Sequence, residues 1–308
     1  SSDLRYDHNA LFAAAFSPKL ALKYTLSNNI DFKASVGRGF KAPDFRQLYL
    51  NFTNTAAGGY SVFGAIEAQK IITALRLMGQ IASIESDYYN LAALQPEFST
   101  GYHASFDYHV PNKATVSFGL FYNSINNLID NRLVAYKLGG AQIFSYLNVK
   151  SAFTKGLEFN TDYKIAKSFS FSGGYQFLLS GDQSEIDKIA QGKVYTRDAN
   201  GYSKLLKTTD YVGLPNRSKH QVNIKLQYQH DRVFATLRAL YKSKWFVTDT
   251  DGNGIFNTND AHANGFVQLN ATLGLPISKN LSVQLGCNNL LNYSDPVNMP
   301  NFMGRAGF

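Results

Sequence analysis

GRGFKAPDFRQLYLNF, running from Gly37 to Phe52, is the stretch whose reading decides the fold. Just upstream, Lys33, Ser35 and Gly37 alternate with Phe32, Ala34 and Val36, the period of two expected when successive side chains point to opposite faces of a sheet. Pro43 has no backbone donor to give a ladder, so the strand ends there and a polar, aromatic-studded loop begins. A strand that delivers abruptly into a long polar segment is therefore the unit to look for elsewhere.

Composition narrows the choice of fold. A chain of 308 residues is long enough for two soluble domains or for one large all-β barrel. It is rich in aromatics, with 23 Phe and 19 Tyr, but no apolar run approaches the length of a membrane helix. The longest near the start is ALFAAAF, Ala10 to Phe16, so any membrane crossing has to be made by strands. The single Cys287 excludes an intrachain disulfide and a thiolate metal cluster, and reads as a small apolar residue. Thirty Lys and Arg against 22 Asp and Glu leave a charge of +8, which suits an anionic ligand or lipid. Those cations are spread along the chain rather than gathered in a stripe, which argues against nucleic acid.

Strand candidates come in pairs joined by short polar turns. Pro18 to Leu26 and Asp31 to Phe40 flank one such turn, and Phe98 to Val110 and Ala114 to Ile129 flank the next. Leu157 to Ile165 pairs with Phe169 to Leu179, His220 to Gln229 with Phe234 to Val247, and Gly265 to Ile277 with Leu281 to Asn292. Between pairs the connections are long: residues 46 to 96, 131 to 142, 184 to 218 and 248 to 262. Strict alternation of short and long connections is the signature of a transmembrane barrel with tight periplasmic turns at one rim and large extracellular loops at the other. The strands, of about 9 to 15 residues, are long enough to cross a bilayer at a tilt, whereas sandwich strands are shorter.

Alternation assigns the two faces. Val222, Ile224, Leu226 and Tyr228 are expected to face lipid, with Asn223, Lys225 and Gln227 facing the lumen. Phe121, Tyr122, Tyr175, Phe177, Tyr241, Trp245, Phe246 and Tyr293 lie near strand ends, where an interfacial girdle or the ends of an aromatic core would place them. About 10 full strands are expected, and the start of another at Arg305 to Phe308.

The wording of the chain resembles the TonB-dependent outer-membrane receptors. Phe40, Lys41, Ala42 and Pro43 are similar to the FRAP-type box of that family, with Lys in place of Arg, which keeps the charge but loses the planar fork. Further resemblances follow in the family's order: FSPKLALKYTL, LQPEFSTGYH at Leu94 to His103, AFTKGLEF at Ala152 to Phe159, GLPNRSKHQVNIKLQY, LGCNNLLNYSDP and the terminal GRAGF. The resemblance implies an all-β fold, an antiparallel transmembrane β-barrel, of which residues 1 to 308 are a fragment of a whole of about 22 strands. It looks like the C-terminal half of a receptor of the Bacteroidetes-like siderophore or metal-chelate type, with the plug domain absent. What it implies for function is energy-coupled uptake of a ferric siderophore or similar chelate at the cell outer membrane. Implied partners are a TonB-type energy-coupling protein acting through the missing plug, the small chelate, outer-membrane lipid and a surface lipoprotein. Cobalamin, haem or another nutrient remain alternatives. Haem is disfavoured because no His lies between Pro43 and Leu94, and LQPEF replaces the second family box.

Particular residues carry further expectations. DTDGNGIFNTND, Asp249 to Asp260, places Asp249, Asp251, Asn253, the carbonyl of Ile255 and Asp260 at the spacing of a calcium loop, with Gly254 at the bend. The same residues also suit a plain turn-rich loop. No organic cofactor is implied. Arg46, Tyr49 and Tyr60, in the loop after the box, are the ligand-binding candidates. Ile71, Leu75, Met78 and Ile81 recur at helical spacing within Gly64 to Ser86, predicting an amphipathic helix that forms part of a lid or packs on the rim. His103 and His109 alternate with apolar residues and are expected to be polar lumen groups. A barrel enzyme is the rival class, yet no G-x-S-x-G elbow and no compact Ser, His and Asp arrangement is present in the sequence.

Overall fold

The structure is a computed structural model that describes all residues except 10–11, 56–58, 149–150, 199, 279–280 and 295–308. The expected closing strand at Arg305 to Phe308 lies outside the described residues. Among those described, no helix is long and apolar enough to cross a membrane.

Eleven strands form one sheet whose order is the order of the sequence. They are β1 (Ser2–Asn9), β2 (Phe12–Ser27), β3 (Ile30–Lys41), β4 (Glu97–Val110), β5 (Ala114–Asn126), β6 (Ser151–Ala166), β7 (Phe169–Asp182), β8 (His220–His230), β9 (Val233–Lys242), β10 (Phe266–Pro276) and β11 (Ser282–Cys287). All five expected hairpins are present, and β1 is an additional strand. Its apolar positions are only Leu4 and Tyr6, too few to give a periodic signal.

The chain divides into two compact units. One comprises Ser1–Leu20, Val36–Gly101 and Ser124–Ala152; the other comprises Ala21–Ser35, Tyr102–Asn123 and Phe153–Phe308.

In the second unit the register fixes the two faces of the wall. Leu226 lies opposite Phe171 and Leu237, Leu237 opposite Ala271, and Ala271 opposite Cys287. Tyr228 and Phe169 are also opposite, with ring centroids 4.8 Å apart. No second sheet covers this row among the described residues, and Leu226 is 42% exposed. An apolar face left open over that many strands is a lipid face. The other face carries Ser172 opposite Lys225, Lys225 opposite Arg238, and Arg238 opposite Asn270.

Polar side chains on the lumen face of β2 to β5 satisfy one another. Asp31 takes a salt bridge from Lys23 at 2.9 Å, a hydrogen bond from Thr25 and a contact with His109 Nε2 at 3.3 Å, while Lys33 pairs with Asp107. His109 is thus a polar lumen group, as expected. Phe121 departs from the girdle reading, because β5 is lipid-facing at its even positions, exemplified by Leu120 and Tyr122, and Phe121 falls on the other face. Tight turns at Asn112 and Asp231 are made by residues at φ 60° and 50°, which Asn and Asp tolerate.

Two expected strands end early at the loop rim. Asn127, at φ 56°, ends β5 before Ile129, which begins a separate strand. The expected strand from Phe234 to Val247 breaks at Ser243 and Lys244, where Ser243 N–H donates to His220 O and Ser243 Oγ accepts the His220 N–H. Trp245–Thr248 then pairs with Ala261–Ala263 outside the wall, so Trp245 and Phe246 are not girdle residues.

In the first unit, residues 42 to 55, 59 to 96 and 127 to 148 build a module of their own. Its five-stranded sheet runs in the order Asn51–Asn54, Tyr60–Phe63, Gln142–Asn148, Ile129–Lys137, Ile81–Ile84. The segment 131 to 142, expected as a loop, is therefore largely a hairpin. Helix α1 (Phe45–Tyr49) follows Pro43, and helix α2 (Ala65–Leu77) lies on the sheet. Ala68 and Ile72 of α2 are fully buried against Phe63, Val134, Ala135, Ile143 and Leu147, with Ile71 and Leu75 partly buried beside them. The helix is shorter than the Gly64 to Ser86 expected. Gly79 at φ 69° terminates it, Met78 stays exposed, and Ile81–Ile84 pairs with the strand around Ala135 instead.

Candidate functional site

The box residues sit where β3 meets the loop module. Asp44 caps α1 in two directions: its carboxylate accepts the Gln47 N–H at 2.7 Å, and Gln47 Oε1 accepts the Asp44 N–H at 2.9 Å. Pro43 is buried just before this cap. Phe40 lies beside Phe98 with centroids 6.5 Å apart, whereas Lys41 alternates to the other face and reaches Glu97 at 3.3 Å. Glu97 is buried and also accepts the Ile129 N–H at 2.9 Å. One carboxylate thus ties the end of β3 and the start of β4 to the first strand of the loop hairpin. Sequence reasoning missed Glu97, although its place in LQPEF, at the entry to the strand that returns from the loop, was visible.

The three ligand-binding candidates are all at the surface of this module. Arg46 and Tyr49 lie on α1, and Tyr49 packs beside Phe45 with centroids 6.3 Å apart. Tyr60 belongs to a different aromatic group, 6.0 Å from Phe52 and 6.5 Å edge-on from Phe144. Two exposed aromatic groups, one with an adjacent guanidinium, give the module surfaces on which a planar ligand can stack.

In the second unit the loops 183 to 219 and 243 to 265 share a small core. Ile189 of helix α3 (Gln183–Ala190), Val194, Leu206 and Ile255 are buried together, with Tyr211 against them. Tyr211 donates to Glu185 at 2.9 Å and accepts the Asp182 N–H at 2.8 Å. Burial and the neighbouring Glu185 carboxylate push its phenol far above the ordinary tyrosine value, so it remains a donor.

The acidic loop is held on this core. Carboxylate oxygens of Asp249, Asp251 and Asp260 lie within 4.8 Å of one another. Gly254, at φ 78°, makes the bend and donates its N–H to Asp249 at 2.7 Å. Burial, with Asp251 and Asp260 nearby, pushes the Asp249 carboxyl up. Burial acts the same way on Asp251, but hydrogen bonds from Thr196 and from the Arg197 and Asn253 N–H groups outweigh it and hold that carboxyl low. The other two predicted ligands are differently engaged: Asn253 Oδ1 accepts the Ile255 N–H, and the Ile255 carbonyl accepts from the Asn257 side chain. Three of the five predicted ligands therefore converge.

The lumen face of β8 to β10 adds an electrostatic feature. Lys225 and Arg238 face each other directly, and Lys242 lies on the same face of β9. Among the described residues no carboxylate occurs on that face of these strands. Like charges in directly opposed positions repel, so this strip favours a passing or resident anion.

Comparison with known proteins agrees with the architecture. A family model described as TonB dependent receptor-like, beta-barrel, matches residues 2–290. The ferric enterobactin receptor of Pseudomonas aeruginosa is 26% identical over 200 residues, covering 60% of this chain and 24% of that protein. A crystal structure of a ferric enterobactin receptor from that organism superposes with a TM-score of 0.63 at 19% identity, over 94% of this chain and 36% of that one. The siderophore receptor PirA of the same organism gives 0.61 at 18% identity, over 94% and 41%. The chain thus spans well under two thirds of the length of these relatives. With its open apolar wall, its short turns and long loops, and a family match over nearly its whole length, the chain belongs to the TonB-dependent receptor β-barrel family.

Proposed function

We propose that this chain is part of an outer-membrane receptor that imports a ferric siderophore or similar anionic metal chelate, driven by a TonB-type energy-coupling protein. The observation that carries this reading is the lumen strip of Lys225, Arg238 and Lys242, which offers fixed positive charge without a resident carboxylate. The names of the relatives support it as well, being those of ferric enterobactin and siderophore receptors. Aromatic groups around Tyr49 and Tyr60 suit ligands with planar rings. A surface lipoprotein is a further proposed partner, docking on the external loops.

The test is growth and labelled-iron uptake by cells carrying the full-length receptor, supplied with a panel of ferric chelates under iron limitation. Deleting the receptor is expected to abolish uptake of one chelate class, and deleting the energy-coupling partner to do the same. Unchanged uptake of every chelate in the deletion strain would refute the reading.

The convergence of Asp249, Asp251 and Asp260 supports a calcium site on the external face. A hard divalent cation removes the mutual repulsion of three carboxylates and tightens the bend at Gly254. Calorimetry on the full-length receptor is expected to detect binding of calcium at up to about millimolar concentration, in the range of extracellular sites. Asp249→Asn with Asp251→Asn should remove the heat of binding and leave the barrel folded. Absence of any calcium heat in the native protein at that concentration means the loop is only a turn.

A further inference from the structure

We propose that the outer, lipid-facing side of β1 to β4 carries a binding groove for a phosphate-bearing lipid, whose acyl chain lies along the wall and whose phosphate is held by Arg38. Ser2 lies opposite Leu20 and Leu4 opposite Pro18, so Leu4, Pro18 and Leu20 share one face. With Val36, Arg38 and Thr100 they line a groove of about 540 Å³. Leu4 and Leu20 are 67% and 60% exposed, which in this family of folds means exposed to hydrocarbon. Beside these apolar residues stands the guanidinium of Arg38, 4.4 Å from the centroid of the Phe98 ring.

Arg38 lies three residues before the end of β3, beside the rim that carries the long loops and hence next to the outer leaflet. A guanidinium on a lipid face is costly unless it reaches the interface and meets an anion there. Among the described residues no carboxylate pairs with Arg38. Asp3 also borders the groove, but its carboxylate takes the Leu4 N–H at 2.8 Å and it falls on the opposite face of β1. Stacking on Phe98 holds the planar fork in one orientation, which suits two-point contact with a phosphate. The apolar lining beside it selects a lipid rather than a free anion, because only a lipid supplies both the charge and the chain.

The experiment uses full-length receptor in detergent, titrated with lipid A, with dephosphorylated lipid A of the same acyl chains, and with inorganic phosphate, and read by native mass spectrometry. Lipid A is expected to bind and survive activation. Arg38→Ala should weaken it about tenfold, and Arg38→Lys should restore part of the loss, since the charge returns without the fork. Heat-modifiable gel mobility reports whether each variant barrel is folded. Three results would overturn the proposal: equal binding of the dephosphorylated lipid, equal binding by folded Arg38→Ala, or displacement of lipid A by millimolar inorganic phosphate.

Discussion

Leu226→Arg destabilises the wall by about 2–4 kcal/mol in refolding titrations from denaturant into lipid vesicles, whereas Gln227→Arg, one residue along, changes stability by less than about 0.5 kcal/mol. The two positions are adjacent on one strand and occupy opposite faces of it. Leu226 sits in the apolar row between Phe171 and Leu237, and a cation there has to be taken into hydrocarbon. Gln227 is flanked by Ser170 and Thr236 on the lumen side, where water remains available. Equal penalties at the two sites would mean that the apolar row packs against protein and that the lipid assignment is wrong.

Ile72→Ala loosens the loop module by about 2–5 kcal/mol without unfolding the barrel. Ile72 is fully buried at the centre of the contact between α2 and the five-stranded sheet, and truncation leaves a cavity that neighbouring Val134 and Ile143 fill poorly. The measurement is amide exchange on the full-length receptor. Protection of residues 65 to 84 should fall by orders of magnitude, while β8 stays protected. A comparable loss in β8 would show that the module and the wall unfold as one unit. If Tyr49 and Tyr60 take part in gathering the ligand, uptake should fall with the protection of the module.

The wall was legible in the sequence because a lipid face and a water-filled lumen impose the same strict alternation on every strand. Each pair from Pro18 to Leu26 onward therefore announced itself, and the hairpin turns at Asn112 and Asp231 fell at residue types that tolerate positive φ. The loop module was much less legible. Its strands are mostly short, Asn51–Asn54 and Tyr60–Phe63 having four residues each, and a bulge near Ile143 interrupts the pairing of the Gln142–Asn148 strand, so period-two patterning has no room to develop. The helical spacing of Ile71, Leu75, Met78 and Ile81 was real only as far as Leu77, since four matching residues do not register a Gly at φ 69°. The clustering of Asp249, Asp251 and Asp260 followed from spacing. The role of Glu97 did not, because it depends on Ile129, which is distant in the chain and joined only by folding.

The pairing within the loop module bears on the order of assembly. In the eleven-stranded sheet the strands stand in chain order, so each hairpin closes locally and meets the next across a single long loop, whose closure cost grows only slowly with its length. The module obeys a different rule: its Tyr60–Phe63 strand runs parallel to Gln142–Asn148, with Tyr60 opposite Gln142, and the intervening chain includes the whole of β4 and β5. That ladder joins segments far apart in the chain, and closing it costs more chain entropy than closing a neighbouring hairpin. Phe52 and Tyr60 meet across a local hairpin, whereas Phe144 joins them only through that long-range ladder, so the full aromatic surface is complete only once the ladder has closed.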